Sequence, residues 1–213
     1  AIQAELRAAS PATLVYVEAG EWGTRVAQAD ADRVLAAFDT ATPPGSVDPG
    51  QGIARVVESR FGPPTDKDAD GRVHILILDI RDGHTGGASY VAGYYTSHDQ
   101  TDLYGSNRRD LLYIDCDPAD PSGTDVLATV AHEHQHLVHY RSDRDEAVFV
   151  NEGLAEYASY LCGYGLRPFT SYLASTDVPL DAWSNGEADY ARVSLWTLYL
   201  GEQLGPAMIG DLF

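Results

Sequence analysis

The chain is poor in basic residues. Of its 213 residues, 14 are Lys or Arg and 32 are Asp or Glu, which gives a formal net charge of −18. Such a charge opposes binding to the phosphates of nucleic acids and to anionic membrane surfaces. We therefore expect no nucleic-acid partner, and an acidic surface of this kind suits a salty or extracellular setting.

Long apolar runs are also absent from the sequence. No run approaches the roughly 18 residues that a membrane-spanning helix needs. The first residues, Ala1 to Arg7, lack the basic and apolar regions of a signal peptide. We expect no membrane span, a mature or trimmed product, and the possibility of further domains beyond residue 213.

Cysteine is scarce, with only Cys116 and Cys162. Their spacing does not resemble a zinc ribbon, and neither lies beside a histidine in a way that indicates a nucleophile. One structural disulfide and two buried thiols are both open interpretations.

The length suits one domain, or two lobes sharing a cleft. Strand patterns lie in the first part of the chain and helical patterns in the second. We therefore divide one catalytic domain into an α/β part, residues 1–121, and a helical part, residues 122–213. The predicted strands are 13–18, 73–80, 88–95 and 111–115, and the predicted helices are 27–38, 48–61, one capped by Thr124, 150–161 and 189–205.

The segment from Thr129 to Tyr140 contains His132-Glu133-x-x-His136. On a helix, residues four apart lie one turn apart on nearly the same face, so both imidazoles can reach one ion. Zinc takes nitrogen and oxygen ligands and can keep a position open for water, and a carboxylate such as Glu133 can take the proton of that water. The pattern predicts a hydrolytic zinc site.

A third ligand is predicted downstream, on a second helical stretch. Glu152 and Glu156 share one face of this helix, opposite an apolar face. Glu152 can bind the metal. Glu156 can accept the other ring N–H of a ligating histidine, and we match it to His132. A solvated acidic residue is the alternative for Glu156.

Two further histidines of the segment receive other interpretations. His134 falls in the apolar stripe, so we expect it to be packed and hydrogen-bonded. His139 could support the site or lie at the surface. A metzincin motif would require Gly at position 139 and His at position 142, but the chain has His139 and Ser142.

The His-Glu-x-x-His motif followed by Asn-Glu-Gly-x-Ala-Glu-Tyr resembles the gluzincin group of zinc metallopeptidases, which includes the thermolysin and aminopeptidase N families. Residues 65–80, 92–95 and 107–115 resemble, more narrowly, the hyicolysin-type secreted peptidases. The resemblance covers the chain from about residue 60 onward. It implies an α+β, zincin-like fold with a mixed N-terminal sheet, a helical lobe and zinc in the cleft between them.

The resemblance also implies a function. We expect a secreted or cell-surface peptidase, a monomer, that acts on proteins or peptides. The edge strand 88–95 would align the substrate, and Tyr190 would stabilise the oxyanion, although Arg192 and Val193 replace the usual lysine and glycine. A core aromatic residue that packs at the end of a buried helix is the alternative for Tyr190. The sequence has no motif for a free amino terminus, which favours an endopeptidase. A secreted binding or adhesin module with a structural zinc site is the alternative.

Asp66, Asp68 and Asp70, followed by Gly71, form the first half of a calcium loop. An EF-hand would require Glu at position 77, where the chain has Ile77. Two interpretations of this loop are open. It could bind calcium, which related peptidases use for stability, or it could be a solvated acidic turn.

Overall fold

A computed structural model describes residues 2–86 and 90–212 of the chain, which has an α+β fold. Five strands form one sheet: β1 (Ala4–Ala9), β2 (Thr13–Glu18), β3 (Val73–Leu78), β4 (Gly93–Tyr95) and β5 (Leu111–Asp115). The helices of the described residues are α1 (Gln28–Asp39), α2 (Ile53–Phe61), α3 (Thr124–Ser142), α4 (Val148–Leu161), α5 (Thr170–Leu173), α6 (Glu187–Leu204) and α7 (Pro206–Asp211), with a 3₁₀ turn at Ser97–Gln100.

The sheet is mixed, with strand order β1-β2-β3-β5-β4. β3 lies at its centre and pairs in parallel with β2 and β5, whereas β1 and β4 are antiparallel edges. All six residues of β3 are buried, because a parallel strand at the centre of a sheet is covered on both faces. This explains the continuous apolar run in its sequence.

The core lies between the sheet and the helices. Ile75, Ile77 and Leu112 project into it from the strands, and Val130 and Leu137 come from α3; all five are fully buried. A smaller cluster, Leu76, Leu78, Leu111 and Tyr113, covers the opposite face of the sheet. The sheet and the first helices therefore hold α3 firmly by one side.

Helix α4 lies between α3 and α6, and α5 and α7 pack against α6. Gly153 is at the contact of α4 with α6: a Cβ atom there would lie 2.4 Å from Thr197 Oγ1. Only glycine permits this approach. Among the described residues, no helix is long and apolar enough to cross a membrane.

The sequence predicted most of these elements, with several differences. β2 and β5 have the predicted bounds, but β1 was missed, β3 ends at Leu78, and α2 begins only at Ile53. The prediction of Thr124 as the cap of α3 was wrong, because Gly123 is the N-cap and Thr124 is the first helical residue. Of the predicted strand 88–95, Gly93–Tyr95 is an edge strand, and residues 88 and 89 lie outside the described residues.

Both cysteines are free and buried, so the structure has two thiols and no bridge between them. Burial raises the pKa of each to about 12. The division of the domain at residue 121 stays a prediction, as does the zincin-like character of the fold.

Candidate metal centre

Helix α3 places His132 and His136 one turn apart, on the side away from its apolar stripe. Their Nε2 atoms are 3.1 Å apart, and both side chains are nearly buried, with 11% and 12% exposed. The 3.6-residue helical period, fixed by packing of the opposite side in the core, brings these nitrogens together.

Helix α4 contributes a carboxylate to the same point. Glu152 Oε2 lies 3.2 Å from Nε2 of His132 and 3.6 Å from Nε2 of His136. These three residues can hold a metal ion. In a tetrahedral zinc site, ligand atoms about 2.0–2.2 Å from the ion are about 3.3–3.5 Å from one another. The observed separations of 3.1–3.6 Å fit that geometry.

The other ring nitrogens decide which atoms face the centre. Nδ1 of His132 lies 3.3 Å from Glu156 Oε1, and Nδ1 of His136 lies 2.8 Å from Asn151 Oδ1. Oxygen acceptors at both Nδ1 atoms place the ring protons there, which leaves both Nε2 lone pairs directed at each other and at the Glu152 carboxylate. Three acceptors that face one point repel each other, and a cation between them would relieve this repulsion.

The charges around the cluster also favour a cation at this point. Burial opposes charge on His132, but its contacts with Glu152 and Glu156 raise its pKa to about 10. Burial likewise disfavours a charged Glu152, but the two histidines lower the pKa of this carboxyl. The pocket therefore stabilises positive charge at the Nε2 atoms, whether it is carried by protons or by a metal ion.

Glu133 lies beside the ligand atoms, nearly buried. Against the larger effect of burial, the backbone of Tyr95, in edge strand β4, favours the charged form of its carboxylate and so lowers its pKa slightly. A Cβ atom at Gly93 would lie 2.6 Å from Thr129 Cγ2 and 3.4 Å from Glu133 Cγ, so glycine allows β4 to approach α3. Burial raises the pKa of Glu133, although the two histidines oppose this effect.

Tyr190 lies near the N-terminus of α6, half-buried. Its hydroxyl donates to Asn185 Oδ1 at 3.0 Å, and its ring packs edge-on against Trp183. Burial first, and then the charge of Glu152, raise the pKa of Tyr190, and Glu133 adds to the effect. The charges of these carboxylates therefore act on the phenol.

The three aspartates of the predicted calcium loop do not form one cluster. Asp68 and Asp70 come together with the buried His74, and these three could hold a metal ion. Asp66 Oδ1 instead accepts the backbone N–H of Gly71. Asp70 Oδ2 is 3.3 Å from His74 Nε2, and Arg109 Nη1 is 3.4 Å from His74 Nδ1.

The other two histidines of α3 are both buried. His134 packs edge-on against Phe38, and its Nε2 lies 3.4 Å from Glu58 Oε1. The expected packing is confirmed, but among the described residues neither ring nitrogen has a partner with hydrogen-bond geometry, so the expected hydrogen bond is not observed. His139 is 1% exposed, and its Nδ1 is 3.3 Å from Gln135 Nε2. The surface alternative for His139 is therefore wrong.

Sequence reasoning assigned no role to two residues near the centre. Asn151 contacts His136, and its position directly before Glu152 was the available signal. Arg167 donates from Nε and Nη2 to Glu156 Oε1, at 3.0 and 2.8 Å. It follows α4 in an irregular connector, where no sequence pattern indicates a contact with the site.

Comparison with known proteins points to the same chemistry. No protein-family profile matches the chain. A neutral metalloprotease, ShpI of Staphylococcus hyicus, is 39% identical over 94 residues. The chain is thus related to a metalloprotease. The match covers 40% of this chain but only 21% of the relative's length, so it does not extend the relative's whole activity to this chain.

Proposed function

We propose that the protein is a zinc-dependent metallopeptidase of the gluzincin type, similar to the hyicolysin-type peptidases. The observation that carries the proposal is the convergence of His132 Nε2, His136 Nε2 and Glu152 Oε2 within 3.6 Å of one another. The relationship to a metalloprotease supports it. The three residues would hold zinc, and Glu156 and Asn151 would orient the two rings.

Bound zinc would act as a Lewis acid that polarises a peptide carbonyl and makes water nucleophilic near neutral pH. Glu133 would take a proton from the attacking water and give it to the leaving nitrogen. Its burial favours this role, because a carboxylate with a raised pKa both accepts and returns a proton readily. The hydroxyl of Tyr190 would donate to the developing oxyanion.

The substrate would be a protein or peptide. The sequence has no motif that binds a free amino terminus, which favours an endopeptidase. Edge strand β4 has an unpaired side, since its described pairing is with β5 alone. An extended peptide could pair with it beside Glu133. A secreted or cell-surface location and a monomeric state remain part of the proposal.

A binding or adhesin module with a structural zinc site is the second candidate, and Glu133 argues against it. A closed structural site takes four protein ligands and needs no base. The described cluster has three such residues, with a buried carboxylate next to them.

Metal analysis combined with a peptide-library cleavage assay tests the proposal. We expect one zinc per chain, cleavage within peptides rather than only at their ends, loss of cleavage on chelation, and recovery on addition of zinc. Protein that contains no metal after purification and does not bind added zinc would contradict the site. Zinc-loaded protein that cleaves no member of the library would favour the binding module.

A further inference from the structure

Arg167 is a charged residue outside the predicted motifs that contacts two groups of the metal centre. It lies in the connector between α4 and α5, and its side chain is 40% exposed. An arginine with this exposure is usually a surface residue, and ion pairs of such residues contribute little to stability. The contacts of Arg167 indicate a different role.

The first contact is with Glu156. Arg167 donates from Nε at 3.0 Å and from Nη2 at 2.8 Å, both to Oε1. The same oxygen lies 3.3 Å from Nδ1 of His132. One carboxylate oxygen therefore contacts both the guanidinium and the histidine, so a shift of Arg167 would change the acceptor that His132 meets. The side chain of Glu156 is 6% exposed, so water can replace little of this contact.

The second contact is with Tyr190. The guanidinium carbon lies 4.7 Å from the centre of the phenol ring, within the roughly 6 Å range of attractive cation–π contacts. A planar guanidinium can pair with a carboxylate and pack against an aromatic face at once, which a lysine ammonium cannot do with the same geometry. Arg167 thus bridges α4 and α6, the two helices that carry Glu156 and Tyr190.

We propose that Arg167 is a positioning residue that orients His132, through Glu156, and the phenol of Tyr190 at the same time. This inference rests on the proposed zinc peptidase function. It requires no contact of Arg167 with the substrate, so loss of the side chain should affect zinc retention and turnover more than substrate affinity.

Arg167→Met tests the proposal because it keeps an unbranched side chain similar to the aliphatic part of arginine and removes the guanidinium that makes both contacts. Loss of a residue that supports a metal ligand costs about 10–100-fold in metal affinity or activity. We expect zinc to dissociate about tenfold faster, at the low end of that range since Arg167 acts through Glu156. We also expect kcat to fall about tenfold with KM nearly unchanged.

Arg25→Met is the matched control. Arg25 is also 40% exposed and also pairs with carboxylates, Glu21 at 2.7 Å and Asp117 at 2.6 Å. Neither carboxylate belongs to the metal centre. Zinc dissociation, measured by competition with a chromogenic chelator, and kcat should equal those of the wild type.

A double variant tests the route of the effect. If Arg167 acts through Glu156, then Arg167→Met combined with Glu156→Gln should lose zinc no faster than Glu156→Gln alone. Arg167→Lys is the second single variant if the Met variant does not fold. It keeps the charge but not the planar fork, so we expect faster zinc loss than in the wild type here also.

The inference would be overturned if the Arg167 variants released zinc as slowly as Arg25→Met. It would also be overturned if the increase in zinc dissociation rate in the double variant equalled the product of the increases in Arg167→Met and Glu156→Gln. The proposed function fails in a different way, through a wild-type protein that neither retains zinc nor cleaves peptides. The two failures are therefore distinguishable.

Discussion

Gly153→Ala perturbs the contact between helices α4 and α6. Helix α4 carries Glu152, the third predicted ligand, and α6 carries Tyr190, the predicted oxyanion donor. Gly153 directly follows Glu152 on α4. An added Cβ atom would lie 2.4 Å from Thr197 Oγ1 and 3.3 Å from the carbonyl oxygen of Val193. Both partners belong to α6 and are fully buried, so neither can turn aside into solvent.

The size of the effect follows from these distances. Ordinary contact begins at 3.4 Å, so the helices must separate by about 1 Å at this point. Thr197 Oγ1 is tied to the backbone by donating to Val193 O at 2.9 Å. Overpacking of this kind costs about 1–3 kcal/mol, while alanine in place of glycine inside a helix contributes about 0.8–1 kcal/mol of stability. The free energy of unfolding should therefore fall by up to about 2 kcal/mol.

Gly210→Ala separates the two contributions. Gly210 is exposed on α7, and a Cβ atom there would meet nothing within 4 Å. Urea unfolding should place Gly153→Ala about 1–3 kcal/mol below Gly210→Ala. Thr197→Ala removes the obstructing oxygen, so it should destabilise the Gly153→Ala protein less than it destabilises the wild type.

The same displacement has a consequence for activity. Tyr190 moves with α6, whereas the three predicted zinc ligands lie on α3 and α4. Zinc content should thus stay at the wild-type level while turnover falls, by up to about 10²-fold for a 1 Å misplacement. A Gly153→Ala protein as stable as Gly210→Ala, and with full turnover, would refute this reasoning.

Three other perturbations have definite expected results. Tyr190→Phe should lower turnover about 10²–10³-fold at unchanged zinc content, while Tyr199→Phe, on an exposed tyrosine of the same helix, should be neutral; equal turnover of the two would return Tyr190 to a packing role. Burial disfavours a charged Asp189, but donors from Ser184, Gly186 and Arg192 lower its pKa from 3.8 to about 2. The stability that Asp189 contributes is therefore present above pH 3.8 and lost as the pH falls to about 2. Asp189→Asn should remove this pH dependence. A free energy of unfolding that changes with pH equally in the two proteins would contradict it. Calcium at millimolar concentration should raise the melting temperature of metal-stripped protein, but not after Asp68→Asn and Asp70→Asn together; an unchanged wild-type value would leave these residues as a solvated turn.

The strongly patterned elements could be predicted from the sequence. The helical period of α3 and α4 predicted which faces carry the histidines and the carboxylates, and their ligand atoms do converge. β5 and the buried β3 follow from their apolar runs. These features depend on local pattern, which the sequence contains directly.

Other features depend on tertiary context. β1 was missed because it is an edge strand with only one buried residue, Ala8, in an otherwise exposed segment. Arg167 reaches Glu156 only because the connector folds back over α4. Asp66 has a positive φ of 56°, so its side chain hydrogen-bonds within its own loop, while His74 from β3 joins Asp68 and Asp70. No spacing rule predicts these contacts.

The most direct test of the central claim is zinc content and peptide cleavage of Glu133→Gln, measured on the same sample. Glu133 is the proposed base and not a proposed zinc ligand. We expect one zinc per chain, as in the wild type, with turnover lower by about 10²–10⁴-fold. Zinc-loaded Glu133→Gln protein with wild-type turnover would contradict it.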